Sequence, residues 1–224
     1  TTMAPTMQVA GTVVSRTDAY LSAEVEGRLI RVAEPGERVA QGDVLAKIDD
    51  QTLSLRLEEL KAEIARVQAR LTFLEADLKR FQRLAETNLA AVSQIEQTRA
   101  DRDVARSDLA VANARLGQVQ TQLERTEIKA PFPGLVVERV AQAGERVGVG
   151  ARVLRIYNPD DLEVVARAPL NYYRYVQSGD ELGVIARDQE IEAPVRRVYS
   201  VGGEDTHVFE LRLDMTEALA VGQT

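Results

Sequence analysis

Hydrophobic positions in the middle of the chain recur at alternating intervals of four and three residues. The series runs without a break, and its members are Leu53, Leu57, Leu60, Ile64, Val67, Leu71, Leu74, Leu78 and Phe81. This spacing is typical of the apolar seam of a coiled coil. Neither glycine nor proline occurs between Asp43 and Arg115, so nothing in this stretch interrupts a long helix. The pattern therefore predicts a helix that buries one narrow stripe.

A second seam with the same spacing follows and predicts a second helix. Its members are Ile95, Thr98, Arg102, Ala105, Leu109, Ala112, Leu116, Val119 and Leu123. The first pattern breaks at 87–92, which predicts a loop, and 93–96 has the form of a capping box with Ser93 as the N-cap. Two such helices joined by a short loop predict an antiparallel hairpin, with arms about 50 Å long at 1.5 Å per residue.

Short apolar runs separated by glycine and proline flank the hairpin and predict β-strands. The runs are Met7–Val14, Tyr20–Glu26, Arg28–Ala33 and Val44–Ile48 before it, and Thr126–Ala130, Leu135–Ala141 and Arg152–Tyr157 after it.

A glycine-containing segment occurs once in each flank. PGERVAQGD at 35–43 returns as AGERVGVGA at 143–151, and an earlier glycine of each flank extends the match. The matched glycines, which we assign to the turns of two half-motifs, are Gly27 with Gly134, Gly36 with Gly144, and Gly42 with Gly150. Because a half-motif of this size cannot bury a face alone, the two copies are expected to pack on each other. The hairpin would then project from between the two halves of one β domain.

Composition excludes several classes of protein. The net charge is −7, which argues against a nucleic-acid-binding protein. Cysteine is absent, which excludes disulfides and thiolate metal sites. No run of 18 apolar residues occurs, so the sequence predicts no membrane span.

The order of these segments resembles the periplasmic adaptor (membrane fusion) proteins of tripartite efflux pumps. TEIKAPFPG at 126–134 and LVVERVAQAGERVGVGARVLRI at 135–156 carry the most specific likeness, and LEVVARAPLNYYRYVQSGDELGVI resembles the start of the family's β-barrel domain. The resemblance implies an elongated, multidomain α+β fold. Its parts would be a lipoyl/biotinyl-like β domain that is split by a coiled-coil hairpin, and a β-barrel.

The resemblance divides the chain into five segments. We expect an N-terminal strand, membrane-proximal or linked to the barrel, at 1–18, the first half-motif at 19–49, the hairpin at 50–125, the second half-motif at 126–158, and the barrel at 159–224. The barrel pattern stops unfinished at the last residue, so we expect the barrel to be incomplete within this sequence.

Residues at the hairpin tip are the candidate site. In adaptors of resistance–nodulation–division pumps, an Arg, a Leu four residues later and a Ser seven residues after that meet the outer-membrane channel. The resemblance assigns these roles to Arg80, Leu84 and Ser93, although the step from Leu84 to Ser93 is nine residues. Leu89 is the alternative apolar contact.

A prosthetic-group carrier and an enzyme are the competing classes. Lipoyl and biotinyl domains carry their group on a lysine in the tight turn between the halves, but here the hairpin occupies that turn and Lys47 lies in a predicted strand. His207 is the only histidine, and it has no obvious nucleophile beside it. Met3 and Met7 form a weak candidate metal pair at the chain start. We therefore expect no enzymatic activity, no cofactor and no bound metal.

The resemblance implies a subunit that bridges an inner-membrane transporter, preferably of the resistance–nodulation–division class, to an outer-membrane channel. It also implies a trimer or hexamer in the periplasm, anchored to the inner membrane by a segment outside this chain. The alternatives are an adaptor for an ABC-type exporter or a type I secretion system, and a coiled-coil tether without transport.

Overall fold

The computed structural model describes residues 7–86, 92–186, 189–200 and 207–215. The strands are β1 (Gly11–Ser15), β2 (Asp18–Ser22), β3 (Gly27–Val32), β4 (Arg38–Val39), β5 (Val44–Ile48), β6 (Glu127–Lys129), β7 (Gly134–Arg139), β8 (Arg146–Val147), β9 (Arg152–Tyr157), β10 (Leu162–Pro169), β11 (Glu181–Ala186), β12 (Gln189–Ser200) and β13 (Val208–Asp214). The helices are α1 (Gln51–Ala85), α2 (Val92–Glu124) and a 3₁₀ helix (Leu170–Tyr175). The predicted α+β fold class is confirmed.

The two long helices pack against each other along the seams that the sequence predicts. The seam residues of both helices are buried or half-buried; the most buried are Leu60, Val67, Leu71 and Leu78 of α1, and Thr98, Ala105, Ala112 and Val119 of α2. Large side chains on α1 therefore lie against smaller ones on α2. Helix α2 begins at Val92, so Ser93 lies in its first turn and the prediction that Ser93 is the N-cap is wrong.

The β domain consists of two four-stranded sheets, in the orders β2-β9-β7-β4 and β6-β5-β3-β8. The two half-motifs exchange their short strands, because β4 of the first pairs with β7 of the second, and β8 of the second pairs with β3 of the first. Individual backbone hydrogen bonds between the two halves show the same reciprocal pairing. The Gly36 amide donates to the Val136 carbonyl at 2.8 Å, and the Gly144 amide donates to the Leu29 carbonyl at 2.7 Å. The halves are thus related by a pseudo-two-fold.

The repeated glycines adopt matching conformations in the two halves. Four of them have a positive φ, a backbone conformation that residues other than glycine rarely adopt. The values are 93° for Gly36, 91° for Gly42, 96° for Gly144 and 82° for Gly150. Gly27 and Gly134 lie instead at the first positions of β3 and β7, not in turns.

One hydrophobic core joins the two half-motifs. It contains equivalent residues from both, among them Leu29 with Val136, Val39 with Val147, Leu45 with Val153, and Ile48 with Ile156. Neither half has these contacts by itself, so the two form one folding unit.

A five-stranded antiparallel sheet, in the order β1-β10-β13-β12-β11, forms the remaining domain. Its core lies on one face and includes Val13, Val164, Val195, Phe209 and Leu211. Strand β1 comes from the segment 1–18 and pairs with β10, with Val13 opposite Val164. The 3₁₀ helix lies between β10 and β11, and Tyr173 contacts the Phe209 ring edge-on at 5.5 Å between centroids.

In the part of the chain that the structure describes, no helix is long and apolar enough to cross a membrane.

Candidate functional site at the tip of the helical hairpin

Arg80 lies on the surface of α1, five residues before its end. Its guanidinium is 2.8 Å from the Asp77 carboxylate and stacks over the Phe81 ring at 5.5 Å. The side chain keeps 58% of its exposure. An arginine has five N–H donors, so this ion pair leaves donors for an incoming carbonyl or carboxylate.

Leu84 follows Arg80 by four residues, and therefore lies on the same face of α1. It is 37% exposed, which makes it an apolar surface residue beside a cation. The structure thus brings Arg80 and Leu84 together near the end of α1.

The two other predicted tip residues are Ser93 and Leu89. Ser93 is exposed in the first turn of α2, and Leu89 lies outside the described residues. Val92, which the sequence analysis places in the loop, is the first residue of α2 and is 71% exposed. This exposed apolar residue could not be predicted from the sequence, because the broken heptad pattern gives no sign that a helix begins there.

The hairpin seam is weakest near the tip. Thr98 is buried, and its hydroxyl donates to the Gln94 carbonyl at 2.8 Å within the same helix. Arg102 occupies the next seam position, and its buried Nε lies 2.9 Å from the Asp103 carboxylate without the alignment of a hydrogen bond. Polar groups buried with incomplete hydrogen bonding stabilise a helix pair less than apolar packing does.

Charged side chains cover the rest of the hairpin in pairs. On α1 these i,i+3 pairs are Arg56 with Glu59, Lys61 with Glu58, Arg66 with Glu63, and Arg80 with Asp77. The hydrogen bond from Arg66 lowers the pKa of Glu63 below its ordinary value. Between the helices, Arg106 lies 3.5 Å from Glu75. Exposed pairs of this kind contribute little stability but keep the surface solvated.

Lys47 lies at the base of the hairpin, not in an exposed turn. Its Nζ is 2.9 Å from the Asp50 carboxylate and 3.0 Å from the Glu127 carboxylate, and the side chain is 23% exposed. Burial disfavours the charged amine, but hydrogen bonds to Asp50 and Glu127 outweigh it and raise the pKa of Lys47. This lysine therefore ties the start of α1 to the strand that follows α2.

The described part of the chain contains no group of three or more His, Cys, Asp or Glu side chains arranged to hold a metal ion. His207 directly precedes β13, and its carbonyl accepts a hydrogen bond from the Leu170 amide at 2.8 Å. Met7 is exposed, and Met3 lies outside the described residues.

Comparison with known proteins identifies the family. The family model described as the CzcB-like, barrel-sandwich hybrid domain matches residues 17–158. The multidrug resistance protein MdtA of Photorhabdus laumondii is 29% identical over 164 residues, which cover 72% of this chain and 41% of that protein. This chain therefore spans less than half the length of that relative.

Two solved structures share the fold. MacA from Actinobacillus actinomycetemcomitans superposes with a TM-score of 0.77 at 18% identity, covering 93% of this chain and 72% of MacA. The membrane fusion protein Spr0693 from Streptococcus pneumoniae R6 superposes with a TM-score of 0.76 at 18% identity, covering 95% of this chain and 93% of Spr0693. With a matching family model and a split β domain that carries a helical hairpin, the chain belongs to the periplasmic adaptor (membrane fusion) proteins, with a CzcB-like barrel-sandwich hybrid domain.

Proposed function

We propose that this protein is the periplasmic adaptor of a tripartite efflux pump, and that it bridges an inner-membrane transporter to an outer-membrane channel. The observation that carries the proposal is the hairpin. It leaves the β domain between β5 and β6 and extends about 50 Å at 1.5 Å per residue, with Arg80 and Leu84 exposed near its end. The far end of so long a helix pair adds nothing to the core of the β domain. Binding of a partner protein at that end would explain the length of the hairpin.

The role is mechanical and not catalytic. Several copies would pack their β domains into a ring of three or six, and their hairpins would form a tube that seals the conduit. The name of the relative from Photorhabdus laumondii, a multidrug resistance protein, supports drug efflux. The transporter would be of the resistance–nodulation–division class. In this arrangement the protein is held at the inner membrane and works in the periplasm.

At the tip, Arg80 would donate to carbonyl or carboxylate oxygens of the channel's helix ends, and Leu84 would insert as an apolar side chain beside it. The polar seam at Thr98 and Arg102 would let the last turns adjust to the channel, since these layers hold the two helices together less firmly than the leucine layers nearer the base.

Export measurements with matched variants test the proposal. In a strain that lacks the gene, drug accumulation is measured after complementation with wild type, Leu84→Asp or Leu55→Asp. Both leucines are exposed on α1, at 37% and 68%, but Leu55 lies at the base of the hairpin. We expect Leu84→Asp to lose export and Leu55→Asp to retain it at equal protein levels. Unchanged accumulation when the gene is deleted would contradict the proposed function, and full rescue by Leu84→Asp would contradict the role of the tip.

A further inference from the structure

One face of the five-stranded sheet carries charged side chains, whereas the other carries the apolar core. On β10 and β13 the residues alternate between these faces, so Glu163, Glu210 and Arg212 lie opposite the core. A cleft of about 650 Å³ opens on the charged face, and four arginines, two carboxylates and Tyr199 line it. We call it the arginine cleft; its arginines are Arg16, Arg196, Arg197 and Arg212.

A buried carboxylate holds two of these arginines side by side. The Glu163 side chain is only 2% exposed, and its two oxygens contact different arginines. One oxygen accepts a hydrogen bond from Arg212, and the other accepts one from Arg196 at 3.4 Å. The arginine side chains stay more exposed than the acid, at 36% for Arg212 and 38% for Arg196. Solvent therefore meets two neighbouring guanidinium groups, with the acid beneath them.

Arg212 is held in place from a second direction. Its Nε donates to the Tyr199 hydroxyl oxygen at 3.0 Å, and a terminal nitrogen lies 3.1 Å from the Glu210 carboxylate. The hydrogen bond with Tyr199 is the largest cause of the raised pKa of Arg212, so this guanidinium stays charged. Because these contacts already fix the side chain, a ligand that binds to it costs little further conformational freedom.

A β-bulge brings two consecutive arginines to the arginine cleft. The register between β12 and β13 shifts between Val195 and Arg197, which makes Arg196 the extra residue of the bulge. In a regular strand, consecutive side chains point to opposite faces of the sheet. Here Arg196 and Arg197 both line the same cleft.

Arg197 adds a positive charge that no carboxylate offsets. It is exposed, and its side chain makes no ion pair or hydrogen bond with any residue in the described ranges. It lies directly opposite Arg212 in the β12–β13 ladder, and like charges at opposed positions destabilise a sheet. An anion bound between the two guanidinium groups would offset this repulsion. The remaining arginine, Arg16, is paired with Asp161 and Asp214.

We propose that the arginine cleft binds a phosphate group, with Arg196, Arg197 and Arg212 as the donors. Guanidinium groups bind phosphate oxygens through pairs of charge-assisted hydrogen bonds. A phosphate monoester offers three free oxygens to three guanidinium groups, whereas a carboxylate offers only two. The lining is charged or polar throughout, so it does not suit an apolar ligand.

The phosphate group can belong to a soluble compound or to a lipid headgroup. A volume of about 650 Å³ lies within the range of small-molecule sites, so the cleft has room for the part of a molecule to which the phosphate is attached. The recognition chemistry is the same for both sources. Such a site would be additional to the contacts at the hairpin tip, and it does not depend on the proposed efflux function.

Titration of the full chain with inorganic phosphate tests the site. Affinity is measured by isothermal titration calorimetry in a phosphate-free buffer, at an ionic strength held constant with sodium chloride. We expect saturable binding by wild type and about tenfold weaker binding by Arg197→Gln, the size of one charge-assisted hydrogen bond. The matched control is Arg174→Gln, because Arg174 is an exposed arginine of the same domain that lies against Tyr175, outside the arginine cleft. This control should bind phosphate as wild type does.

Thermal unfolding separates a loss of binding from a loss of folding. Without phosphate, Arg197→Gln should leave the thermal midpoint unchanged or raise it, because it removes the repulsion of Arg212. Added phosphate should raise the midpoint of wild type, since a ligand that binds only the folded state stabilises it. The rise should be smaller for Arg197→Gln.

Sedimentation with vesicles identifies the source of the phosphate group. The vesicles are phosphatidylcholine with or without phosphatidic acid, whose headgroup is a phosphate monoester. Binding that requires both phosphatidic acid and Arg197, and that inorganic phosphate reverses, would support a lipid headgroup. Saturable phosphate binding without vesicle binding would support a soluble compound. Binding of neither probe by wild type, or equal binding by wild type and Arg197→Gln, would overturn the proposal.

Discussion

Replacing Gly134 by alanine should destabilise the β domain strongly. A Cβ at this position would lie 2.4 Å from the carbonyl oxygen of Tyr157 and 3.0 Å from its carbonyl carbon. An ordinary contact needs about 1 Å more than the first distance, and a carbonyl group cannot rotate away as a side chain can. Tyr157 is held on both sides, because β9 pairs with β2 and with β7. The strands must therefore separate locally.

Overpacking of this kind typically costs about 1–3 kcal/mol, and the backbone clash places Gly134→Ala near about 3 kcal/mol. For a domain of about 60–100 residues, that corresponds to a fall in the thermal midpoint of about 12–24 °C. Differential scanning calorimetry measures it, since the hairpin and the β domain can melt separately.

Two further glycines provide the controls for this measurement. Gly27→Ala should cost less, because its Cβ would meet the Ile48 Cγ2 at 2.5 Å and that side chain can shift. Gly148→Ala should change the midpoint little, since nothing lies within 4 Å of its Cβ. Equal midpoints for Gly134→Ala and Gly148→Ala would refute the close approach of β7 to β9.

Three other predictions concern the hairpin and its base. Leu71→Ala should lower the helical melting midpoint measured by circular dichroism, at a cost of about 2–3 kcal/mol, because Leu71 is only 5% exposed. Leu55 is 68% exposed, so Leu55→Ala should change the stability by less than about 0.5 kcal/mol. Arg102→Leu should slow amide hydrogen exchange near the tip, since it replaces a buried Nε that lacks a hydrogen bond with an apolar seam residue; faster exchange would contradict this reading of the seam. Hydrogen bonds from Lys47 and Lys129 lower the pKa of Glu127 below its ordinary value of 4.5. The ionised carboxylate therefore stabilises the folded protein above pH 4.5, and this stabilisation is lost as the pH falls through the lowered pKa. Glu127→Gln should therefore flatten the acid limb of a denaturation curve measured against pH, and an unchanged acid limb would contradict the role of this pair.

The hairpin and the shared β domain could be predicted because their signals are local or repeated. Heptad spacing depends only on neighbours along one helix, and the seam residues of both helices are buried or half-buried as the spacing predicts. The repeat indicated that two halves close on each other. It did not indicate that they exchange β4 and β8, because a strand of two residues has no periodicity to detect.

The arginine cleft on the five-stranded sheet, lined by Arg16, Arg196, Arg197 and Arg212 among others, could not be predicted, because it joins residues that are distant in sequence. Arg16 and Arg212 meet only after β1 and β13 both pair with β10, and a β-bulge, which the residue pattern does not signal, brings Arg197 to the same cleft. At the tip, the sequence indicates where Arg80 and Leu84 lie relative to each other, but not where Ser93 lies. Arg80 and Leu84 share a face because they are four residues apart on one helix, whereas the position of Ser93 depends on the loop between the helices.

Site-specific photo-cross-linking in cells tests the central claim, that the hairpin tip meets an outer-membrane channel. A photoreactive residue is placed at position 84 near the tip, or at position 55 near the base, and the products are identified by mass spectrometry. We expect position 84 to cross-link to the channel protein and position 55 not to do so. Products from position 84 that contain only other copies of this chain, at expression levels that restore export, would contradict it.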